Sequence, residues 1–306
     1  RVDSIDFDVA IFTNLTHDHL DYHGTMDNYF QAKKKLFDHL KESAVAIVNV
    51  DDPYGEKIVE DCKCNVITYG IDHKADYQIT HYQLLKDRTI FTLRCNGREY
   101  ELETNLVAKF NLYNLLGAIA AVNMRGIAIT QLLDKIKTIK QIDGRVERID
   151  KGQPFNIIVD FAHTPDGIEK LCQFGAAITP KGKRIIAVTG SAGKRDTVKR
   201  PIFGEILDKY ADIIVLTEDD PRDEKIIDIC NEIASGIKKT PYIIIEDRYQ
   251  AIREAIQLAE DNDTILILGK GDEEFIYRDY GREPYEGDDN IVREVLTKYY
   301  FQNENN

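Results

Sequence analysis

Apolar residues follow two different patterns before residue 142 of this 306-residue chain. Continuous apolar runs at 7–14 (FDVAIFTN) and 44–50 (AVAIVNV) predict buried strands, and the segment 26–41 between them predicts a helix. Residues 76–107 instead alternate apolar and polar side chains around the Asn96-Gly97 pair, which is typical of antiparallel hairpins. Two further helical segments are expected, at 111–124 and 129–139.

After the segment IDGRVERID the pattern changes to a strict alternation of apolar strands with helices. Continuous apolar strands separated by helices predict a mostly parallel sheet that is covered on both faces. We therefore expect an α/β protein with a boundary near Ile142. A domain over 1–142 has a mixed sheet with helices and antiparallel hairpins, and a Rossmann-like, doubly wound domain covers 143–306. The predicted strands of the second domain are 155–161, 183–190, 212–217, 242–247 and 263–269.

Composition narrows the class of protein. The chain is 43% hydrophobic, which suits two globular domains, and it has no apolar run long enough for a transmembrane helix. Its first residues, RVDSIDFD, lack the features of a signal peptide. Five scattered cysteines argue against a disulfide framework or a zinc ribbon and for a reducing cytoplasm. A net charge of −13 argues against a nucleic-acid partner.

Histidines and aspartates are concentrated just after the first predicted strand, which ends at Thr13-Asn14. Open α/β sheets bind ligands at the carboxyl ends of their strands. The segment is either a solvated loop or a metal site, and Mg²⁺ suits it better than zinc, because neither cysteines nor HExxH spacing is present. A lysine near such an ion would repel it unless the lysine is carbamylated. The residues concerned are His17, Asp18, His19, Asp21, His23 and Asp27.

The motifs TNLTHDHLDYHG and QAKKKLF closely resemble those of the Mur ligases. Within that family the match is to the UDP-N-acetylmuramoyl-tripeptide synthetases, and it extends over essentially the whole chain. The resemblance implies that His19 helps to hold Mg²⁺ and that Lys33 is the carbamylated lysine. Lys34 and Lys35 are then expected to be ordinary helix-surface charges. His17 and His23 are expected to be structural or substrate-loop residues.

Two further motifs resemble nucleotide-binding segments of the family. FNLYNLLGA implies that Asn111 and Asn114 lie near the adenine. They are three residues apart and so share one helix face, although Asn111 is equally suited to be a helix N-cap. GRVER implies that Arg145 contacts the phosphates of ATP, for which a planar guanidinium is well suited.

The motif VDFAHTPDGIEKL resembles the family's strand-to-helix turn in the C-terminal domain. The resemblance implies that Asp160 accepts hydrogen bonds from the ribose hydroxyls and that His163 and Thr164 approach the nucleotide. Thr164 is also suited to be an N-cap, with Pro165 at the first helical position. Both interpretations are compatible.

Three motifs resemble the family's site for the incoming amino acid. GKRDTVKRP implies that Arg195 meets a substrate carboxylate, EDDPRDE supplies Asp220 and Arg222, and GKGDEE supplies Gly269 and Glu273. Each motif follows a predicted strand of one parallel sheet. We therefore expect the three motifs to converge at the same edge of that sheet.

The sequence departs from the family at two positions of this site. Asp220 replaces an asparagine and Asp272 replaces a histidine, so the pocket is expected to be more acidic. Arg222 suits the distal carboxylate of meso-diaminopimelate, but it could instead pair with Asp220 or Asp223. A carboxylate against that distal carboxylate would cost about 1 kcal/mol or more. The sequence therefore favours L-lysine or a similar diamino acid over diaminopimelate.

The P-loop motif GxxxxGK[ST] does not occur in this sequence, and GSAGKRD at 190–196 has a different ending. The family's central domain begins with such a loop, so we expect the first domain to be an incomplete ATPase-type domain. The chain is then a C-terminal fragment of a longer ligase, without its UDP-sugar-binding domain. The isolated chain is expected to be inactive, with the missing part supplied by the full-length protein.

The resemblance implies an ATP-dependent ligase of peptidoglycan biosynthesis, and hence of cell shape and division, in the cytoplasm. It would add the third amino acid to UDP-MurNAc-L-Ala-D-Glu through an acyl phosphate, with Glu273 and Arg195 brought to that intermediate. The catalytic residues would be Lys33, His19, Arg195 and Glu273. A folylpolyglutamate-type ligase, a dinucleotide oxidoreductase and a non-catalytic nucleotide- or partner-binding fragment remain alternatives. DHLDYHG, HTPD and DDPR favour the cell-wall ligase, and no GxGxxG follows an early strand.

Overall fold

The computed structural model of the protein describes residues 5–300, without the side chains of residues 21 and 299. Residues 1–4, on which the expectation of no signal peptide partly rests, and the side chain of Asp21 lie outside the described residues. The chain divides into two compact units, Arg1–Lys140 and Gln141–Asn306. Within the described residues, no helix is long and apolar enough to cross a membrane.

In the described part of the first unit, six strands form one mixed sheet whose order follows the chain. The strands are β1 (Val9–Phe12), β2 (Val45–Asn49), β3 (Asn65–Gly70), β4 (Tyr77–Leu84), β5 (Thr89–Cys95) and β6 (Arg98–Thr104). The pairs from β1 to β4 are parallel, and β4–β5 and β5–β6 are antiparallel. The helices are α1 (Leu20–His23), α2 (Met26–Asp38), α3 (Gly55–Ile58), α4 (Lys109–Met124) and α5 (Ile129–Lys137).

The predicted hairpin turn joins β5 to β6. Asn96 and Gly97 both have positive φ, 52° and 70°, as a type I′ turn requires. The turn follows the right-handed twist of the strands and pairs Cys95 with Arg98. The prediction of a hairpin here is confirmed.

Helices cover both faces of the first sheet. In β2, Ala46 and Val48 pack in one apolar cluster with Phe37 of α2, while Ile47 packs in another with Leu116 of α4. Successive strand residues point to opposite faces, so a continuous apolar run is buried on both sides.

Residues 141–300 contain a second six-stranded sheet, in the order β11-β10-β9-β12-β8-β7. Its strands are β7 (Glu147–Arg148), β8 (Asn156–Asp160), β9 (Ile185–Thr189), β10 (Ile213–Leu216), β11 (Tyr242–Ile244) and β12 (Thr264–Leu268). All pairs are parallel except β7–β8. The helices are α6 (Pro165–Ile178), α7 (Lys199–Tyr210), α8 (Ile226–Ala234), α9 (Arg248–Leu258) and α10 (Asp288–Val295), and a hairpin of β13 (Phe275–Arg278) and β14 (Gly281–Pro284) lies apart from the sheet.

The second sheet is also covered on both faces, which confirms the α/β prediction. Val159 and Ile267 pack with Ile252 of α9 on one face. On the other face, Gly175 of α6 lies so close to Leu266 that an added Cβ would be 3.0 Å from Cδ1. Strand β12 is inserted between β8 and β9, so the carboxyl ends of these strands meet at one edge.

A fully buried ion pair fastens the strand ends of this sheet to α10. The Arg248 guanidinium donates to both carboxylate oxygens of Asp288 at 2.7 Å, and both side chains are 0% exposed. It also donates to the backbone oxygens of Glu218 and Leu268, at 2.9 Å and 3.0 Å. The Tyr285 hydroxyl also donates to the Asp288 carboxylate, at 2.6 Å.

Candidate functional site

The loop after β1 places His19 in a left-handed conformation at the start of α1, with φ 54°. Its Nε2 lies 3.2 Å from Oδ2 of Asp18, and its side chain is 60% exposed. The loop is attached to the end of β2, because Asn49 donates to Thr13 O at 2.8 Å and Leu15 N donates to Asp52 at 3.1 Å. This places the imidazole of His19 at the carboxyl edge of the first sheet.

Tyr29 of α2 joins three of the predicted residues. Lys33 Nζ lies 5.0 Å from the centre of its ring. His23 stacks on that ring at 4.8 Å, and His19 meets it edge-on at 6.2 Å. The sequence interpretation missed Tyr29, although its position four residues before Lys33 on a predicted helix places both on one face.

The protein donors near His19 fit Mg²⁺ only in part. Asp18 and His19 offer one carboxylate and one imidazole, whereas Mg²⁺ prefers six oxygen ligands. Among residues 5–300, no group of three or more His, Cys, Asp or Glu side chains has the arrangement of a metal site. Additional oxygens would therefore have to come from water, substrate phosphates or a carbamate on Lys33.

The prediction that Lys34 is a surface charge is wrong. Lys34 is 7% exposed, and its ammonium donates to Asp38 at 2.6 Å and to Asp61 at 2.7 Å. Burial disfavours the charge, but the bonds to Asp38 and Asp61 outweigh it and raise the pKa of Lys34. Lys35 is exposed, as expected.

Asn111 and Asn114 lie on one face of α4 and contact each other. Asn114 Nδ2 donates to Asn111 Oδ1 at 3.3 Å, and Asn111 Nδ2 donates to Val107 O at 2.8 Å. The N-cap of α4 is Ala108, so the alternative of Asn111 as an N-cap is wrong. Asn114 is exposed and Asn111 is half-buried, which leaves both amides near the surface.

In the second unit, Arg145 and His163 lie on the same aromatic ring. The Arg145 guanidinium is 4.4 Å from the centre of the Phe161 ring, and His163 meets that ring edge-on at 4.8 Å. His163 Nδ1 donates to Phe161 O at 2.9 Å, which leaves Nε2 of a neutral ring as an acceptor. The sequence motifs identified Arg145 and His163 but not Phe161, whose ring contacts both.

Asp160 is buried and fixes the two segments on either side of it. Its carboxylate oxygens accept from Val146 N and Ala162 N, both at 2.7 Å, and burial is the main cause of its raised pKa. Thr164 accepts from Gly167 N at 3.2 Å, and α6 begins at Pro165. The prediction of Thr164 as an N-cap is therefore confirmed.

The three motifs assigned to the incoming amino acid lie together at the carboxyl edge of the second sheet. Gly193 N donates to Asp220 O at 2.8 Å, which joins GSAGKRD to EDDPR. Lys270 Nζ donates to Asp220 Oδ1 at 2.8 Å and to Glu273 Oε2 at 2.5 Å, which joins EDDPR to GKGDEE. Gly269 has φ 120°, and a Cβ there would lie 2.6 Å from Asp219 Oδ2.

Lys270 lies at the centre of this cluster. The sequence motif GKGDEE pointed to Gly269 and Glu273 but not to Lys270. Its side chain is 0% exposed, and burial disfavours its charge. The adjacent carboxylates, chiefly Asp219 and then Asp220, outweigh burial and raise the pKa of Lys270. Burial is also the main cause of the raised pKa of Asp219.

The alternative in which Arg222 pairs with Asp220 or Asp223 is wrong. Asp220 pairs with Lys270, and Asp223 pairs with Lys194 at 3.4 Å. The Arg222 guanidinium lies instead 5.2 Å from the centre of the Tyr277 ring, and Arg222 N donates to Tyr277 O at 2.8 Å. Among the described residues, no hydrogen-bond partner is found for its buried Nε.

Arg195 lies on an exposed loop whose base is anchored by a buried arginine. Arg200 is 0% exposed and donates to Glu224 at 2.9 Å and to Ala192 O at 3.0 Å. Glu224 in turn accepts from Lys194 N. The residue directly before Arg195 is thereby attached to the segment that follows Arg222.

Asp272 lies against the GRVER segment. A Cβ added to Gly144 would lie 2.4 Å from Asp272 Oδ1, so Asp272 packs against the residue before Arg145. The acidic departure at this position therefore lies beside the GRVER segment.

Comparison with known proteins identifies the family. Residues 1–122 match the Mur ligase middle domain, and residues 144–271 match the Mur ligase, glutamate ligase domain. The chain belongs to the Mur ligase family. This excludes the alternative of a dinucleotide oxidoreductase.

Two similar relatives are UDP-N-acetylmuramoyl-L-alanyl-D-glutamate–2,6-diaminopimelate ligases. That of Halalkalibacterium halodurans is 39% identical over 301 residues, which cover 97% of this chain and 61% of the relative. That of Clostridium acetobutylicum is 41% identical over 277 residues, which cover 90% of this chain and 56% of the relative. The chain thus spans less than two thirds of the length of these relatives.

Solved structures agree with this placement. One of a UDP-N-acetylmuramoyl-L-alanyl-D-glutamate–2,6-diaminopimelate ligase is 28% identical, with a TM-score of 0.61 over 98% of this chain and 62% of the other. A MurF ligase from Thermotoga maritima in complex with ADP is 18% identical, with a TM-score of 0.76 over 99% of this chain and 64% of the other. The FolC of E. coli, also 18% identical, has a TM-score of 0.69 over 98% of this chain and 64% of the other. The last two likenesses concern the fold alone.

Proposed function

We propose that this chain forms the middle and C-terminal domains of an ATP-dependent ligase that adds 2,6-diaminopimelate to UDP-MurNAc-L-Ala-D-Glu in peptidoglycan synthesis. The observation that carries the proposal is the cluster of three motifs around Lys270, with the Arg222 guanidinium beside it. The similar ligases named above are named for the same amino acid. The assignment to the ligases rests on the family, and the choice of diaminopimelate as the substrate rests on the cluster around Lys270.

The choice of diaminopimelate replaces the preference for L-lysine that the sequence suggests. That preference assumed an unpaired Asp220 and an Arg222 occupied by a neighbouring carboxylate. Lys270 offsets the charge of Asp220, and no carboxylate is paired with Arg222 among the described residues. A guanidinium in this environment suits the distal carboxylate of diaminopimelate, because it can donate two parallel hydrogen bonds to that planar anion.

The amide bond would form in two steps on this scaffold. The side-chain carboxylate of D-Glu takes the terminal phosphoryl group of ATP, and the amine of diaminopimelate then displaces phosphate from the acyl phosphate. Arg195 and Glu273 are the residues proposed to act at this intermediate. Arg200 holds the base of the Arg195 loop, and Lys270 holds the carboxylate of Glu273.

Nucleotide binding is proposed for groups in each unit. In the second unit, Arg145 would contact the phosphates, and His163 Nε2 would accept a hydrogen bond from the nucleotide. Asp160 would accept from the ribose, although both its oxygens already accept backbone N–H groups. In the first unit, the amides of Asn111 and Asn114 would read the adenine edge.

Mg²⁺ is proposed to bind beside His19 with help from carbamylated Lys33. Carbon dioxide adding to the Lys33 amine would release a proton and create an anion with two oxygens, the ligand type that Mg²⁺ prefers. Loss of the ammonium would also end its contact with the Tyr29 ring. When bound, the ion would offset negative charge on the transferring phosphoryl group.

The test is a chimaera in which this chain replaces the matching part of the Halalkalibacterium halodurans ligase. Phosphate release is measured with ATP, UDP-MurNAc-L-Ala-D-Glu and either diaminopimelate or L-lysine, and the product is identified by mass. We expect release that depends on diaminopimelate. No release with either amino acid, or a clear preference for L-lysine, would overturn the proposal.

A matched pair of variants of the chimaera separates binding from general damage. Arg222→Gln should raise KM for diaminopimelate by about tenfold, the effect of losing a charged hydrogen bond. Arg125→Gln removes a guanidinium that is 62% exposed in the first unit and should leave KM unchanged.

A further inference from the structure

Two cysteines that the ligase reaction does not use lie side by side in the first unit. Cys62 follows α3 and Cys64 directly precedes β3, and their sulfur atoms are 3.0 Å apart. A disulfide requires a sulfur–sulfur distance of about 2.05 Å, so the two atoms need to approach by only about 1 Å. The pair is separated by one residue, Lys63.

We propose that Cys62 and Cys64 form a redox-active dithiol site that reacts with small disulfides and closes to an internal disulfide. The site lies in a three-residue segment and takes a low-molecular-weight disulfide as its co-substrate. Two sulfurs alone are too few for a metal site, and within residues 5–300 no group of three or more candidate ligands is found. Thiol exchange is therefore the chemistry that the pair supports.

Access distinguishes this pair from the remaining cysteines. Cys62 is half-buried and Cys64 is 9% exposed, whereas Cys95, Cys172 and Cys230 are at most 2% exposed. Those three lie in β5, α6 and α8 and so have no neighbouring cysteine within their own elements. Because exchange requires that the attacking sulfur reaches a dissolved disulfide, Cys62 is the entry point.

The exchange takes place in two balanced steps. The Cys62 thiolate attacks one sulfur of the small disulfide, forms a mixed disulfide and releases one small thiol. Cys64 then loses its proton and attacks Sγ of Cys62, which releases the second small thiol and leaves the Cys62–Cys64 bond. The two cysteines lose two electrons and two protons, and the small disulfide is reduced to two thiols. Burial, together with the adjacent sulfur of Cys62, raises the pKa of Cys64 to about 11, which disfavours the Cys64 thiolate in the reduced pair.

Both flanks of the segment are fixed, which keeps the two sulfurs close. Asp61 directly precedes Cys62 and accepts from the buried Lys34 at 2.7 Å. Asn65 directly follows Cys64 and pairs with Val45 at the start of the β2–β3 ladder. A preorganised second thiol reacts as if it were at high concentration, so closure should outrun the release of Cys62 by external thiols.

The test uses the reduced wild-type chain and oxidised glutathione. After acid quenching, free thiols are alkylated and the peptides are mapped by mass spectrometry. We expect an internal disulfide within residues 62–64 that dithiothreitol reverses, while Cys95, Cys172 and Cys230 react only after denaturation. Free thiols at both positions after incubation, or stable mixed disulfides without the internal bond, would overturn the proposal.

Two variants assign the roles of the sulfurs. Cys64→Ser should accumulate the mixed disulfide on Cys62. Cys62→Ser should react at Cys64 at least about tenfold more slowly than the wild type, because the remaining sulfur is buried. Equal rates for the two variants would contradict the assigned order. Mapping of the wild-type chain decides the proposal even where a variant fails to fold.

Discussion

The ammonium of Lys270 lies 2.8 Å from Oδ1 of Asp220, and Lys270 is 0% exposed. The same ammonium reaches Glu273, so two carboxylates of the cluster share one buried cation. Lys270 therefore offsets part of the negative charge that distinguishes Asp220 from an asparagine. Substrate preference at this site depends on the pair and not on Asp220 by itself.

Removing the cation should expose the charge of Asp220. In the active chimaera, Lys270→Met should raise KM for diaminopimelate about tenfold more than KM for L-lysine, which corresponds to about 1.4 kcal/mol. Adding Asp220→Asn to this variant should restore the ratio of the two KM values. Steady-state kinetics on the three proteins checks this. A ratio that stays constant in Lys270→Met would contradict it.

The ring of Tyr277 should position Arg222. Tyr277 also donates from its backbone N–H to Asp220 at 3.1 Å, and its ring lies 5.2 Å from Arg282 as well. Tyr277→Ala should raise KM for diaminopimelate about fivefold, the worth of about 1 kcal/mol of cation–π contact, with kcat little changed. Tyr277→Phe keeps the ring and should behave as the wild type.

A control on the same hairpin tests whether Tyr277→Ala acts only by disturbing the structure. Tyr280 is 73% exposed, and Tyr280→Ala should leave KM for diaminopimelate unchanged. If both alanine variants raise it equally, the hairpin rather than the ring is responsible.

Lys33 should be essential and Lys35 should not. In the chimaera, Lys33→Ala should lower activity by at least about 10- to 100-fold, the usual cost of losing a group that supports a metal. Added short carboxylic acids should restore part of it by replacing the carbamate oxygens. Lys35→Ala, which changes an exposed lysine two residues away, is the control. Full activity of Lys33→Ala would refute the carbamate.

The Arg248–Asp288 pair should dominate the stability of the second unit. Arg248→Met leaves the Asp288 carboxylate buried without its partner, and should lower the free energy of unfolding by about 3–5 kcal/mol. Lys298→Met alters a surface pair with Glu294, whose lysine is 59% exposed, and should cost less than about 1 kcal/mol. Urea unfolding of the whole chain measures both, and similar losses would contradict the prediction.

Backbone strain at Ala108 should be relieved by glycine. Ala108 has φ 72° and ψ 143°, a region that is open almost only to glycine, at the N-cap of α4. Ala108→Gly should therefore stabilise the chain by about 1 kcal/mol, and thermal unfolding measures the gain. Ala32 is an exposed residue in the interior of α2, and Ala32→Gly should lower the stability by about 1 kcal/mol, because glycine is a poor helix former. The opposite signs are the test.

The fold could be predicted because its signals are local. The apolar runs of β2 and β8 indicate strands covered on both faces, and Asn96-Gly97 fixes a hairpin within two residues. The site was predictable only where a motif carried it. Three consecutive lysines on α2 point in directions about 100° apart. Lys34 is the buried one because it pairs with Asp61, which lies 27 residues away in the sequence. Likewise Arg222 finds Tyr277 only when the hairpin folds back onto its segment.

The strand orders of the two sheets have a consequence for folding during synthesis. In the first sheet each strand pairs with the next along the chain, so each new strand finds its partner already made. In the second sheet β8 and β9 are joined only through β12, which is translated after β10 and β11. On the ribosome, the first unit can thus assemble strand by strand, whereas the second has to hold two unpaired apolar strand edges until residues 264–268 emerge.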